Sequence, residues 1–296
     1  MYLIILLMII FYPIVSPPHA RADDKTGIKL ELAEVENMMA SGALIMARQK
    51  IEPLVARYPD DWRARLVAAR IYRQMGLTSF AIDTYERVRR LRPDLSEPLV
   101  ALSRLYLDNL STELALGLAR QAVAVDPGSL DARLALAEAL VACQSIQSAQ
   151  VQSQKLARDF ADDVRVLHLQ AQVARAAGKT EQARDFLIRA LATKEISTDW
   201  LMELAQINVD LGHYAAAEAS LQRILTINPD SFTANLRLAQ LYELKMHDYV
   251  KAIGAYKKVQ ELAPDSVEAQ TGLQRSLACQ ADWALCLKNF VHSIFR

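Results

Sequence analysis

The side chains that most often perform catalysis are scattered along this chain of 296 residues. Past the N-terminal segment, its histidines lie far apart, at His168, His213, His247 and His292. None has the spacing of the HExxH zinc motif, and the chain lacks a Gly-rich phosphate loop, a GxSxG nucleophile elbow and a CxxC pair. We therefore expect no metal site, no cofactor and no catalytic residues, and we predict that the protein is not an enzyme.

Two acidic pairs, Asp60–Asp61 and Asp162–Asp163, are the remaining candidates for acid–base chemistry. Both stand between predicted helices, where a carboxylate that caps the next helix N-terminus explains them more simply. Of the three cysteines, Cys143 is expected in the core, whereas Cys279 and Cys286 flank the turn of the last predicted hairpin. A disulfide between these two and a pair of buried thiols are both open alternatives.

The composition excludes several classes of protein. Apolar residues make up 52% of the chain but aromatic residues only 7%, so Ala, Leu, Val and Ile dominate, which favours helices. The 34 Lys and Arg balance the 34 Asp and Glu, and this neutral chain lacks the basic surface typical of proteins that bind nucleic acid. Only 9 Gly and 10 Pro argue against a β-sandwich or a disordered chain.

The N-terminus has the pattern of a targeting segment. Residues 2–16 form an uncharged apolar run, and small residues follow at Ala20 and Ala22. This pattern predicts a secretory leader over residues 1–22, cleaved after Ala22, and hence a periplasmic or secreted protein. The alternative is an uncleaved anchor formed by residues 2–16, which would keep the protein at a membrane.

The elements that position the remaining residues follow a period of 34 residues. An alanine series shows it, with one interval of 35: Ala47, Ala81, Ala115, Ala149, Ala183, Ala217 and Ala252. A proline series keeps the same phase: Pro59, Pro93, Pro127, Pro229 and Pro264. Because both series take their extra residue near Lys245–Asp248, we interpret it as one inserted loop residue.

Each period is predicted to be a hairpin of two helices. A glycine ends the first helix in four units, and Pro-Asp or Pro-Gly follows the second helix. The glycines are Gly42, Gly76, Gly178 and Gly212. A second series of small residues marks the crossing on the first helices: Ala69, Ser103, Ala137, Ala171, Ala205 and Ala239. Small side chains at both positions allow the two helices to approach closely.

In its period, its small residues at the crossing, its tyrosines and its terminal prolines, the chain resembles the tetratricopeptide repeat family, of the exported bacterial type. The resemblance covers residues 28–264 as seven repeats, with 265–296 as an atypical capping hairpin. The family's early Trp is absent, and its first-helix Gly is replaced by Ala or Ser. The resemblance implies an all-α, right-handed superhelical solenoid of about eight helix-turn-helix hairpins, whose concave wall binds a protein or peptide.

Helical spacing assigns candidate ligand residues to that inner wall, on the first helix of each repeat. An apolar row is interrupted only by His168: Leu66, Val100, Leu134, Met202 and Leu236. It marks either a ligand track or packing against the next hairpin. A basic cluster, which is either an anion or acidic-peptide site or a solvated face with Glu97 and Asp61 as partners, comprises Arg63, Arg70, Arg73 and Arg104. A polar ladder, able to hydrogen-bond an extended peptide backbone or sugar hydroxyls, comprises Glu138, Gln172, Gln206 and Gln240. Leu107 and Val141 complete the groove.

These patterns together predict a role. We expect an exported, non-enzymatic scaffold or adaptor that binds a protein or peptide in its groove, in cell-envelope assembly or secretion. The alternative is a glycan-binding accessory of an exopolysaccharide export system, although few aromatic residues fall on the inner wall. No nucleic acid partner is expected.

Overall fold

The computed structural model describes residues 24–161, 163–192 and 197–281. Within them it consists of fifteen α-helices and one π-helical turn, without a strand, as the sequence predicts. The helices of repeats one to four are α1 (Asp24–Ala40), α2 (Leu44–Arg57), α3 (Trp62–Gln74), α4 (Thr78–Leu91), α5 (Ser96–Asp108), α6 (Thr112–Val125), α7 (Leu130–Ala142) and α8 (Ile146–Asp159). Those that follow are α9 (Val164–Ala176), α10 (Thr180–Ala190), α11 (Thr198–Asp210), α12 (Tyr214–Ile227), α13 (Phe232–Leu241), α14 (Tyr249–Leu262) and α15 (Val267–Ala281).

Two compact units divide the chain, with their boundary between Leu105 and Tyr106 inside α5. In the first unit, α2 contacts both α1 and α3, and α3 contacts α4. In the second unit, α8, α10, α12 and α14 each contact the first helix of their own hairpin and that of the next. Each of these second helices therefore joins two successive repeats through a shared core.

The small residues predicted at the helix crossings are buried. The seven alanines of the 34-residue series are completely buried, and the six partner residues on the first helices are at most 3% exposed. Larger side chains, including Tyr85 and Tyr256 at 1% exposure, fill the space around these contacts. The predicted packing reason for the alanine series is therefore confirmed.

The turns inside the hairpins use left-handed residues to end the first helix. Gly76, at φ +71°, donates its N–H to the carbonyl of Arg73, and the next residue, Leu77, donates to Tyr72. This pair of bonds is the Schellman motif, and the other three predicted glycines also have φ near +75°. Leu110 and Gln144 adopt the same conformation without being glycine, which the composition alone does not indicate.

The extra residue of the seventh repeat is not a loop insertion, contrary to the sequence interpretation. Residues Tyr242–Met246 form a π-helical turn that continues α13, and His247 follows in the left-handed region at φ +52°. The Asp248 N–H bonds to the carbonyl of Tyr242, six residues back instead of five. A π turn absorbs one residue without breaking the helix, so the hairpin closes as in the other repeats.

None of the described helices is long and apolar enough to span a membrane. The predicted leader, residues 1–22, lies outside the described residues.

Candidate functional site

The apolar row is mostly core, so the ligand-track interpretation is wrong for its main members. Leu66 and Val100 are 6% exposed and Leu134 only 1%. Leu236 is also buried, and Met202 is half-buried against the core of repeats five to seven. The leucine and valine side chains are turned into the packing between helices, because burying them against neighbouring helices removes more apolar area from water than an open wall allows.

Arg63 is held by the cap of its own helix. Asp61 accepts the backbone N–H groups of Arg63 and Ala64, at 2.8 and 3.2 Å, and caps α3. The Arg63 guanidinium also binds the Asp61 carboxylate, with Nη2 at 2.7 Å from Oδ2. Burial raises the pKa of Asp61, but these hydrogen bonds outweigh burial and hold its pKa below the ordinary value. The capping role predicted for this acidic pair is confirmed at Asp61.

Arg70 is also committed to acidic neighbours. Its Nε and Nη2 each lie 2.6 Å from a carboxylate oxygen of Glu97 on α5, and its Nη1 lies 3.4 Å from Glu36 on α1. The hydrogen bond to Glu97 raises the pKa of Arg70 above its ordinary value. Arg73 is exposed on the same face and Arg104 is half-buried. The basic cluster therefore does not present four uncompensated guanidinium groups to an anion.

The polar ladder stays at the surface of the first helices. Glu138, Gln172 and Gln206 are half-buried, and the Gln206 amide donates to Asp210 at 2.8 Å, one turn further along α11. Leu107 and Val141 are half-buried as well. Side chains that keep polar atoms near the surface at regular intervals can hydrogen-bond an extended backbone.

A cluster centred on Glu203 joins repeats five and six, and sequence reasoning missed it. The His168 ring stacks on Trp200, with centroids 4.6 Å apart and planes at 18°. The His168 Nε2 lies 2.9 Å from Glu203 Oε2, and the Arg175 Nε lies 3.7 Å from Oε1. The sequence did contain one signal. Glu203 is the sixth residue of α11, whereas the sixth residue of α9, in the preceding repeat, is the apolar Leu169.

A buried carboxylate, that of Glu243, fixes the last described helix. Glu243, in the π turn, is 5% exposed and accepts a hydrogen bond from Tyr256 Oη at 2.6 Å. Arg275 of α15 binds both carboxylate oxygens, at 2.7 and 3.1 Å. Burial and the bond to Glu243 raise the pKa of Tyr256 far above its ordinary value, and burial with a bond to Glu218 raises that of Tyr242 to about 12.

The cysteines and the remaining acidic pair are only partly described. Cys279 lies half-buried within α15, but Cys286 lies outside the described residues, so the choice between disulfide and thiols stays a prediction. Cys143 is half-buried instead of core, because it follows α7 as its C-cap, and its Sγ donates to the carbonyl of Thr112 at 3.4 Å. Asp163 caps α9, as predicted.

Across residues 24–161, 163–192 and 197–281, no three His, Cys, Asp or Glu side chains converge as they would around a metal ion.

Models of the tetratricopeptide repeat match most of the chain, over residues 47–96, 111–173, 174–234 and 233–266. The chain belongs to the tetratricopeptide repeat family. This assignment agrees with the 34-residue period of the hairpins, the buried alanines at the helix crossings and the left-handed residues that end the first helices. The family scaffold is compatible with a protein-binding adaptor and is typically non-catalytic.

The chain is similar to part of each of several known proteins. The human protein O-mannosyl-transferase TMTC1 is 25% identical over 202 residues, which are 67% of this chain and 23% of that protein. Human IFIT1, in a dimer with m7Gppp-AAAA, superposes with a TM-score of 0.71 at 15% identity, over 86% of this chain and 63% of that one. A chain of the APC/C hetero-tetramer Cut9-Hcn1 gives 0.68 at 18% identity, over 83% and 48%. This chain thus spans less than two thirds of each.

Proposed function

We propose that this tetratricopeptide repeat protein is a non-enzymatic adaptor that binds a protein or an extended peptide along the exposed face of its first helices. The observation that carries the proposal is the polar ladder: Glu138, Gln172 and Gln206 recur at 34-residue intervals and keep partial exposure, while most of the apolar row beside them is buried. A repeated row of carboxylate and amide side chains on successive first helices can pair with the repeated N–H and C=O groups of an extended chain.

The lack of a catalytic motif supports a binding role. The similarity to the mannosyl-transferase covers only 23% of that protein, and a shared repeat segment does not carry an activity with it. The neutral charge of the chain also argues against transferring the m7Gppp-AAAA ligand of human IFIT1, which carries phosphates, to this protein.

We propose further that the adaptor is exported and acts in cell-envelope assembly or secretion. The support is the apolar run of residues 2–16 with small residues before Asp23, typical of a cleaved leader. The mature protein would then be periplasmic or secreted, and an uncleaved leader would leave it membrane-anchored. Intact-mass measurement of the protein purified from its own cells tests this, because a cleaved chain begins at Asp23.

In-cell crosslinking followed by mass spectrometry tests the binding function. The first-helix variants are Arg73→Glu on α3 and Gln172→Lys on α9. Each has a matched control on a second helix, where the same change falls at an exposed residue: Arg90→Glu on α4 and Gln154→Lys on α8.

We expect the first-helix variants to reduce crosslinks to one partner about tenfold, the effect of losing an interface contact worth a little over 1 kcal/mol. The controls should leave the partner's recovery unchanged. Equal recovery with all four variants would refute the first-helix face as the binding surface.

A further inference from the structure

Repeats five and six contain an ionic cluster at a place where the earlier repeats are apolar. The fifth residue of the first helix is Leu66, Val100 and Leu134 in repeats two to four, and all three are buried. Repeat five has His168 there, and Glu203 of repeat six reaches back to it. The two side chains are only 20% and 16% exposed, and apolar residues of similar size would pack at least as well there, so stability alone does not account for this polar contact.

Only one of the two carboxylate oxygens of Glu203 has a hydrogen-bond partner. Its side chain is 16% exposed, and Oε2 accepts the His168 Nε2 at 2.9 Å. The other oxygen, Oε1, is out of contact with water and has no hydrogen-bond partner. The Arg175 Nε, 3.7 Å away, is beyond hydrogen-bond distance. A buried carboxylate oxygen without a hydrogen-bond donor raises the free energy of the unbound protein. A ligand group that donates to this oxygen removes the penalty, which adds to the binding free energy.

The position of Glu203 places it on the first-helix face. Its two neighbours, His168 and Arg175, are two turns apart on one face of α9, and Gln172 of the polar ladder lies between them in sequence. Trp200 stacks on the His168 ring and fixes it in place. The Arg175 side chain is 52% exposed, so it can turn into solvent and open the way to Oε1.

The charge of α11 favours a cation. This helix carries Asp199, Glu203 and Asp210 and no basic residue. Asp199 and Asp210 are both exposed, so their negative potential extends into the solvent beside Glu203. A lysine or arginine side chain therefore meets complementary charge as it approaches, whereas an acidic one is repelled.

We propose that the face of α9 and α11 binds one basic residue of the bound segment. The ammonium or guanidinium group of this residue displaces Arg175 and donates a hydrogen bond to Glu203 Oε1. His168 holds Oε2 and keeps the carboxylate oriented. This inference rests on the proposed peptide-binding function and adds the chemistry of the ligand to it.

Selection of peptides from a random phage-displayed dodecapeptide library on the purified full chain tests the proposal. We expect the enriched peptides to share a Lys or Arg at one position. Replacing that residue by norleucine in a synthetic peptide should weaken binding to the parent protein about tenfold, the value of one charge-assisted hydrogen bond, and to Glu203→Gln less than about twofold.

Two further variants separate a recognition role from a structural one. Asp199→Asn removes the same charge from an exposed site of α11 and should change the affinity less than about threefold. Arg175→Gln removes the competing cation and should tighten binding about threefold, which a merely structural residue would not do. Circular dichroism confirms that each variant is folded.

The outcomes are distinct. Two outcomes would overturn the recognition of a basic residue but keep the peptide-binding function. The enriched peptides could lack a basic residue, or the norleucine replacement could weaken binding to the parent and to Glu203→Gln by the same factor. No enrichment above beads without protein would overturn both.

Discussion

Replacing Gly272 by alanine tests how α15 is fixed to the hairpin before it. A Cβ at residue 272 would lie 2.2 Å from Cζ, 2.5 Å from Cε1 and 2.6 Å from Oη of Tyr256. The Tyr256 ring is 1% exposed and its Oη donates to Glu243 at 2.6 Å, so it has no free space to enter. Either the ring moves and gives up this bond, or α15 moves away from α14.

The cost follows from three contributions. Overpacking of a filled core costs about 1–3 kcal/mol, and losing a hydrogen bond to a charged group costs about 1.5–3 kcal/mol. Alanine favours the helix over glycine by about 1 kcal/mol, which offsets part of this. We expect Gly272→Ala to lower the free energy of unfolding by about 2–4 kcal/mol.

Gly254 supplies the matched control, because it is exposed on α14 and a Cβ there meets nothing within 4 Å. Gly254→Ala should therefore stabilise by about 0.5–1 kcal/mol. The assay is urea unfolding followed by circular dichroism, with hydrogen exchange of α15 peptides to detect local opening at this end of the chain.

A variant without the Tyr256 ring tests whether this ring causes the loss of stability. In a Tyr256→Leu background the ring is gone, and the added methyl of Gly272→Ala should cost less than about 1 kcal/mol. If Gly272→Ala is as stable as Gly254→Ala, or if its cost is the same with and without the tyrosine ring, the contact with Tyr256 does not fix α15.

Three other perturbations have definite expected outcomes. Leu110→Gly should stabilise by about 1 kcal/mol in urea unfolding, because Leu110 has φ +59° and is 87% exposed, so it loses strain and no packing. Ala217→Leu should destabilise by about 1–3 kcal/mol or more, whereas Ala216→Leu at the exposed neighbouring site should not, and equal melting temperatures would contradict the close crossing. The raised pKa of Tyr256 gives stability that is present below pH about 10 and is lost as the pH rises above it, since the unfolded chain releases the proton more readily. Tyr256→Phe should therefore flatten, but not abolish, the fall in unfolding free energy above pH about 10, because the pKa of Tyr242 is also raised.

Local chemistry made the hairpins predictable. The buried alanines at the crossings, the glycines at φ near +75° and the caps at Asp61 and Asp163 each satisfy a requirement within a few residues of chain. Such requirements recur in every repeat, so they appear as a period of 34 residues. The same logic missed Leu110 and Gln144, because a left-handed residue other than glycine leaves no compositional signal.

The candidate site was harder to predict, because exposure is decided between helices. Helical spacing placed Leu66, Val100 and Leu134 on the same face as Arg70, but it does not state how deeply the neighbouring helix covers that face. For Arg70 the sequence left two alternatives, an anion site or a solvated face with Glu97 and Asp61 as partners, and the structure binds it to Glu97, 27 residues away.

The sequence by itself determined the repeated helix hairpin, its turns and its crossings, because these depend on side-chain size and backbone conformation within one period. Only the tertiary structure decided the rest: the burial of the apolar row, the π turn that absorbs the extra residue and the half-used carboxylate of Glu203. These features depend on how one repeat packs on the next, where a few ångströms separate a solvent-exposed group from a buried one.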